Sequence, residues 1–98
     1  MERVSVVGNS GSGKTYFAKL LAQQMGCRHI ELDTIFHQAD WKSLEIEEFR
    51  AVVIEATENG PWVIDGNYRM VRDIVWANAE TVIFLDVGFI KNTYRLVK

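Results

Sequence analysis

Apolar residues in this chain switch between short unbroken runs and helical spacing, and glycine or aspartate stands at most of the switches. Val4-Ser5-Val6-Val7 is short, rich in β-branched residues and followed at once by a glycine cluster, the pattern of a buried parallel strand entering a tight loop. From Lys14 to Met25 the apolar residues Phe17, Leu20, Leu21 and Met25 recur at helical spacing, and Gly26 supplies a helix stop. His29-Ile30-Glu31-Leu32 reads as a second strand ending at Asp33, and Thr34 to Lys42 reads as a loop with a helical turn. Ser43 is placed to cap a helix with Glu45, Glu47 and Glu48 in its first turns, where negative charge suits the helix dipole, and with Phe49, Val52, Val53 and Ala56 on its apolar face. Gly60-Pro61 ends that helix. Trp62-Val63-Ile64 forms a third strand closing on Asp65-Gly66, Met70, Val71, Ile74 and Val75 mark another helical face, and Thr81 to Leu85 is a fourth strand ending on Asp86. The last segment puts Ile90, Tyr94 and Val97 on one helical stripe and Lys91, Arg95 and Lys98 on another, which predicts that the chain stops inside an amphipathic helix.

Strands alternating with helices predict an α/β fold of three layers with a mostly parallel sheet and right-handed crossovers. With 98 residues, 1–98 is read as one domain with a modest core. The composition, 48% hydrophobic and 24% charged, is that of a globular chain. Eleven basic against thirteen acidic residues lack the basic footprint of a nucleic-acid-binding domain. A lone Cys27, a start without a signal-peptide apolar region and no run long enough to span a bilayer predict a cytoplasmic location with no membrane partner.

The chemistry concentrates in Gly8-Asn9-Ser10-Gly11-Ser12-Gly13-Lys14-Thr15, which satisfies G-x-x-x-x-G-K-[ST]. Chance produces such a match in a chain this size on the order of a few times in a thousand. The context adds to this, because the motif follows a predicted strand and opens a predicted helix. Its glycines let successive backbone N–H groups turn around a phosphate, and the positive helix end adds field toward it. Lys14 supplies a mobile cation for the β- and γ-phosphates of ATP, and the Thr15 hydroxyl is a ligand for Mg²⁺. Such a loop works with an acidic residue at the end of a neighbouring strand. Asp65 and Asp86 both qualify, and periodicity alone does not choose between them.

On these residues the chain resembles the adenylate-kinase-like P-loop kinases, and among them the group labelled DNA topology modulation proteins. The resemblance rests on Gly8 to Thr15, on Leu32-Asp33 with Trp41 downstream, on Asp65-Gly66-Asn67-Tyr68, and on Val82-Ile83-Phe84-Leu85-Asp86-Val87. In such kinases a D-G pair after the third strand carries the magnesium carboxylate, which implies Asp65 rather than Asp86. An Arg that grips phosphate stands four residues after that Asp in adenylate kinases, the offset of Arg69. An Asp at the end of the second strand borders the acceptor pocket, and in kinases of small hydroxyl compounds it holds the accepting hydroxyl, the place of Asp33, with Phe36 and Trp41 as walls. His29 and His37 read as ordinary polar surface residues, with no partners spaced for a metal site.

Complete members of such groups are longer, so the resemblance implies a chain with four of the strands, the fifth absent, ending before an Arg-rich lid. Lid arginines neutralise charge in the transition state, and their loss costs factors of about 10³ to 10⁵ in rate. The sequence therefore predicts an ATP- and Mg²⁺-dependent phosphotransferase acting on a nucleotide or small hydroxyl compound, with catalytic Lys14, Asp33, Asp65 and Arg69 and reduced activity as this short chain. The alternative is an ATP-binding interaction or regulatory module linked to DNA topology modulation. The uncovered stripe Ile90, Tyr94 and Val97 predicts a homo-oligomer.

Overall fold

Every residue of Trp62-Val63-Ile64-Asp65 is buried, so this strand has protein on both faces. In the computed structural model, which describes residues 2–8, 13–37, 44–86 and 93–97, it is β3 of a five-stranded sheet ordered β2-β3-β1-β4-β5. The elements run β1 (Arg3–Gly8), α1 (Lys14–Met25), β2 (Arg28–Glu31), α2 (Leu32–Phe36), α3 (Ile46–Thr57), β3 (Trp62–Asp65), α4 (Arg69–Asn78), β4 (Thr81–Asp86) and β5 (Thr93–Val97). The first four strands are parallel, as the alternating pattern predicts.

The two-residue period of β3 divides the core. Trp62 and Ile64 join Leu32, Phe49, Val53, Val71 and Val75 on the face covered by α3 and α4. Val63 points the other way, into a cluster with Val4, Val6, Ile83, Ala18 and Ala22 under α1. Of the large apolar residues predicted to face inward from α1, Phe17, Leu21 and Met25 pack half-buried against this cluster and Leu20 is exposed, while the fully buried positions are the alanines Ala18 and Ala22, whose small side chains let the helix sit close to the sheet. In α3 the inward residues are Phe49, Val53 and Thr57, with Val52 exposed. Arg50 of α3 ties the first turns of α4 in place, donating to the Met70 carbonyl at 2.7 Å and to both carboxylate oxygens of Asp73 at 2.8 and 2.9 Å.

Two helix starts differ from the sequence reading. The helical turn expected between Thr34 and Lys42 starts earlier, as the short helix α2 from Leu32, because buried Leu32 turns inward directly after β2. The described α3 begins at Ile46 with Glu45 as N-cap, whose N–H donates to Glu48 Oε1 at 3.3 Å, and the expected cap Ser43 lies outside the described residues.

The C-terminal stretch corrects a larger expectation. Thr93–Val97 is a strand, antiparallel to β4, with Asp86 opposite Thr93 and Val82 opposite Val97. A fifth strand is thus present where none was expected, and no helix carries Tyr94 and Val97 as a stripe; Ile90 lies outside the described residues. Thr93-Tyr94-Arg95-Leu96-Val97 is rich in β-branched and aromatic residues, and the free edge of β4 offers it a row of backbone groups to pair with, which outweighs a weak helical period. The ground for expecting association through a helical stripe disappears with the helix.

Candidate active site

The carboxyl ends of β1 and β3 lie side by side in the sheet, with Val6 opposite Asp65. The helix that follows β1, α1, covers one face of the sheet, whereas α4, which follows β3, covers the other; in open α/β sheets such a change of face between neighbouring strands marks the crevice where ligands bind. Gly8 ends β1, and Asn9, Ser10, Gly11 and Ser12 lie outside the described residues. Gly13 is the N-cap of α1 at φ 78°, a left-handed conformation that glycine adopts without penalty. Its carbonyl accepts from Phe17 N at 2.9 Å, the first turn of the helix. Lys14 and Thr15 therefore occupy the first two helical positions, where free N–H groups and the positive dipole end collect.

From there Thr15 Oγ1 donates to Asp65 Oδ1 across 3.4 Å, a long contact between the phosphate-loop residue and the β3 carboxylate. Asp65 is buried, with 2% of its surface exposed, and its other oxygen, Oδ2, lies 2.5 Å from His29 Nε2. The register explains the meeting: His29 stands opposite Val63 and Glu31 opposite Asp65, so His29 and Asp65 share the α1 face of the sheet. Opposite an ionised carboxylate, which can only accept, Nε2 of the imidazole serves as the N–H donor. The expectation of a surface role for His29 is thereby corrected. Its signal in the sequence was an even spacing from the strand-end acid of a paired strand, which needs the register to be read.

After Asp65 the backbone turns through Gly66 at φ 115°, and Gly66 N donates to the Val6 carbonyl at 3.1 Å, carrying the β1–β3 ladder one residue further. The buried side chain of Leu32 lies against this turn: a β-carbon added at Gly66 would sit 3.1 Å from Leu32 Cβ. Asp33 follows Leu32 and is exposed. Tyr68 Oη donates to Asp33 Oδ1 at 2.7 Å. The Tyr68 ring is fixed against Phe36 and Phe49, with centroid distances of 5.1 and 5.3 Å. Desolvation, followed by the hydrogen bond and charge of Asp33, pushes the Tyr68 phenol up to about 12. Arg69 is exposed at the first position of α4, and Asp86 closes β4. Of the predicted walls, Phe36 is half-buried in this aromatic group, and Trp41 lies outside the described residues.

The structure thus brings together Thr15 with Asp65, adds His29 to that pair, and gathers Asp33 with Tyr68 beside it. A divalent cation suits the first group. Hard oxygen donors, a hydroxyl and a carboxylate, match magnesium, which takes few protein ligands and completes its shell with water and substrate phosphate. Among the described residues no cluster of three or more His, Cys, Asp or Glu forms an all-protein metal cage. No described helix is long and apolar enough to cross a membrane.

Residues 4–86 match the sequence profile of the ATPase family associated with various cellular activities (AAA). The chain belongs to that family. This AAA-family chain is also 30% identical to the cytidylate kinase of Pyrococcus horikoshii, over 97% of its own length and 56% of that protein. Its fold is that of a shikimate kinase from Bacteroides thetaiotaomicron, with a TM-score of 0.61 and 18% identity over 87% of this chain and 57% of that one. A gluconokinase from Sinorhizobium meliloti 1021 gives a TM-score of 0.56 and 23% identity over 86% and 55%. The AAA-family chain therefore spans about half the length of the proteins it matches. The curated relative is thus a nucleotide kinase and the two solved structures are kinases of small molecules, and what this chain has in common with those two structures is the fold.

Proposed function

We propose that this chain carries the nucleotide site of an ATP- and Mg²⁺-dependent phosphotransferase whose acceptor presents a hydroxyl group. The observation that carries the reading is the pairing of two acidic sites at one sheet edge, Asp65 against Thr15 and Asp33 against Tyr68. The first pair serves the nucleotide. Lys14 and the helix end bind the phosphates, and Thr15 with Asp65 would hold magnesium, which neutralises charge on the β- and γ-phosphates when bound. The second pair serves the acceptor. Asp33 accepts the proton of the substrate hydroxyl while that oxygen attacks the γ-phosphorus, and ADP leaves with the electrons of the broken bond. Tyr68 holds one oxygen of Asp33, which leaves the other for the substrate. Arg69 stands at the start of α4 and would meet an acceptor that carries its own phosphate.

A coupled assay of ADP release, run with nucleoside monophosphates in one series and small hydroxyl acids and sugars in another, tests the reading. Turnover that depends on a hydroxyl acceptor supports it. Turnover only with nucleoside monophosphates moves the weight from Asp33 to Arg69. ATP binding with no acceptor-dependent turnover favours the alternative, an ATP-binding interaction or regulatory module of the kind the DNA topology modulation label suggests.

A further inference from the structure

The Asp65 carboxylate is buried to 2% exposure and meets two partners of unequal quality. Thr15 Oγ1 approaches Oδ1 at 3.4 Å, near the limit of a hydrogen bond, whereas His29 Nε2 holds Oδ2 at 2.5 Å. The residue opposite Asp65 in the β2–β3 register is Glu31, a second acid, so its neighbour strand offers a like charge at the paired position and a donor two residues earlier. A buried carboxylate without a donor is costly, and a carboxylate free to rotate about its last torsion would point either oxygen at the crevice.

We propose that His29 is a positioning residue, which locks the Asp65 carboxylate by Oδ2 so that Oδ1 faces Thr15 and the metal. The inference rests on the reading of Asp65 as the magnesium carboxylate and gives that residue its orienting partner. Outer partners of this kind set the direction and basicity of the groups they hold, and their loss lowers metal affinity by about 10- to 100-fold.

The experiment is calorimetric titration with ATP, in magnesium and in chelator, of the wild-type chain, His29→Asn and His29→Gln. Both variants are polar and similar in size to histidine. The glutamine amide reaches about as far as Nε2 and can donate to Oδ2, whereas the asparagine amide sits one bond closer to the backbone and falls short. Expected is a loss of about 10- to 100-fold in the magnesium enhancement of ATP affinity for His29→Asn, with His29→Gln close to wild type and magnesium-free affinity unchanged in both. Full enhancement in His29→Asn overturns the proposal, and so does an equal loss in both variants. A wild-type chain whose ATP affinity ignores magnesium removes the metal reading of Asp65 and this inference together. Enhancement that survives in His29→Asn removes only the inference.

Discussion

Tyr68 donates its hydroxyl proton to Asp33 Oδ1 at 2.7 Å and so joins the residue after the D-G-N turn to the short helix that follows β2. The bond has little to do with holding the fold, since Asp33 is exposed and water replaces a lost donor there. Its consequence is directional: a phenol pinned between Phe36 and Phe49 fixes where the Asp33 carboxylate points.

Tyr68→Phe keeps the ring packing and removes only the donor. A typical intramolecular hydrogen bond contributes about 0.5–1.5 kcal/mol, and the exposure of Asp33 to water keeps this charge-assisted one within that range, so acceptor-dependent turnover is expected to fall by roughly two- to twelvefold, with ATP affinity unchanged by calorimetry. The variant also reports on ionisation. Because the folded phenol is pushed up to about 12 from an ordinary value near 10, the folded state holds the proton more tightly than the unfolded chain between those values. The contribution is fully present below pH ~10 and is lost as pH rises through ~12. Chemical denaturation from pH 9 to 12 should show a steeper loss of stability in wild type than in Tyr68→Phe, and parallel curves would contradict the assignment.

Gly66→Ala tests the turn that sets Asp65 and Asn67 apart. The φ of 115° disfavours any side chain, and the new β-carbon would lie 3.1 Å from Leu32 Cβ, itself buried and unable to swing away. Strain of this kind costs about 1–3 kcal/mol. At roughly 4–8 °C per kcal/mol for a domain of this size, Tm should drop by at least about 4 °C in calorimetric scans. An unchanged Tm would mean that the turn relaxes freely.

Much of this was legible in the sequence because short apolar runs ending at Gly8, Asp65 and Asp86 leave little choice for the parallel strands, and the glycine-rich loop needs only its spacing to be read. The packing of α1 was less so. Phe17, Leu21 and Met25 pack against the core as their spacing predicts, but the fully buried positions of the helix are Ala18 and Ala22, which a search for large apolar residues passes over while it includes the exposed Leu20. The contact of His29 with Asp65 was hidden for a different reason. It depends on the pairing of β2 with β3, a relation between residues thirty-six apart that no local period expresses. Likewise β5 competes with a helical reading of the same residues, and the edge of β4 that decides the outcome is a tertiary feature.

Lys14→Ala should separate binding from folding. Lys14 is half-buried at the first position of α1, where alanine is a good helix former, so the fold should be retained. What is lost is the cation that offsets phosphate charge. Charge-assisted contacts of this type contribute about 1.5–3 kcal/mol, so ATP affinity should weaken by roughly ten- to a hundredfold. Calorimetry showing wild-type affinity would remove the phosphate cradle from the account.

The ranking of the two strand-end acids gives the sharpest comparison. Asp65→Asn keeps an oxygen that can still accept from His29 Nε2, so the variant should fold, but it removes the negative charge that faces Thr15. Hard cations need that charge more than they need the oxygen alone. The magnesium enhancement of ATP affinity is therefore expected to fall at least about tenfold in Asp65→Asn, while affinity in chelator holds steady or improves slightly, because one negative charge near the phosphates is gone. Asp86 closes β4, on the far side of β1 from β3, and Asp86→Asn should leave most of the enhancement in place. Titrations of both variants with and without magnesium decide the order. If Asp86→Asn abolished the enhancement and Asp65→Asn preserved it, the metal would belong to the β4 side of the crevice, and the contact between Thr15 and Asp65 would be a structural hydrogen bond.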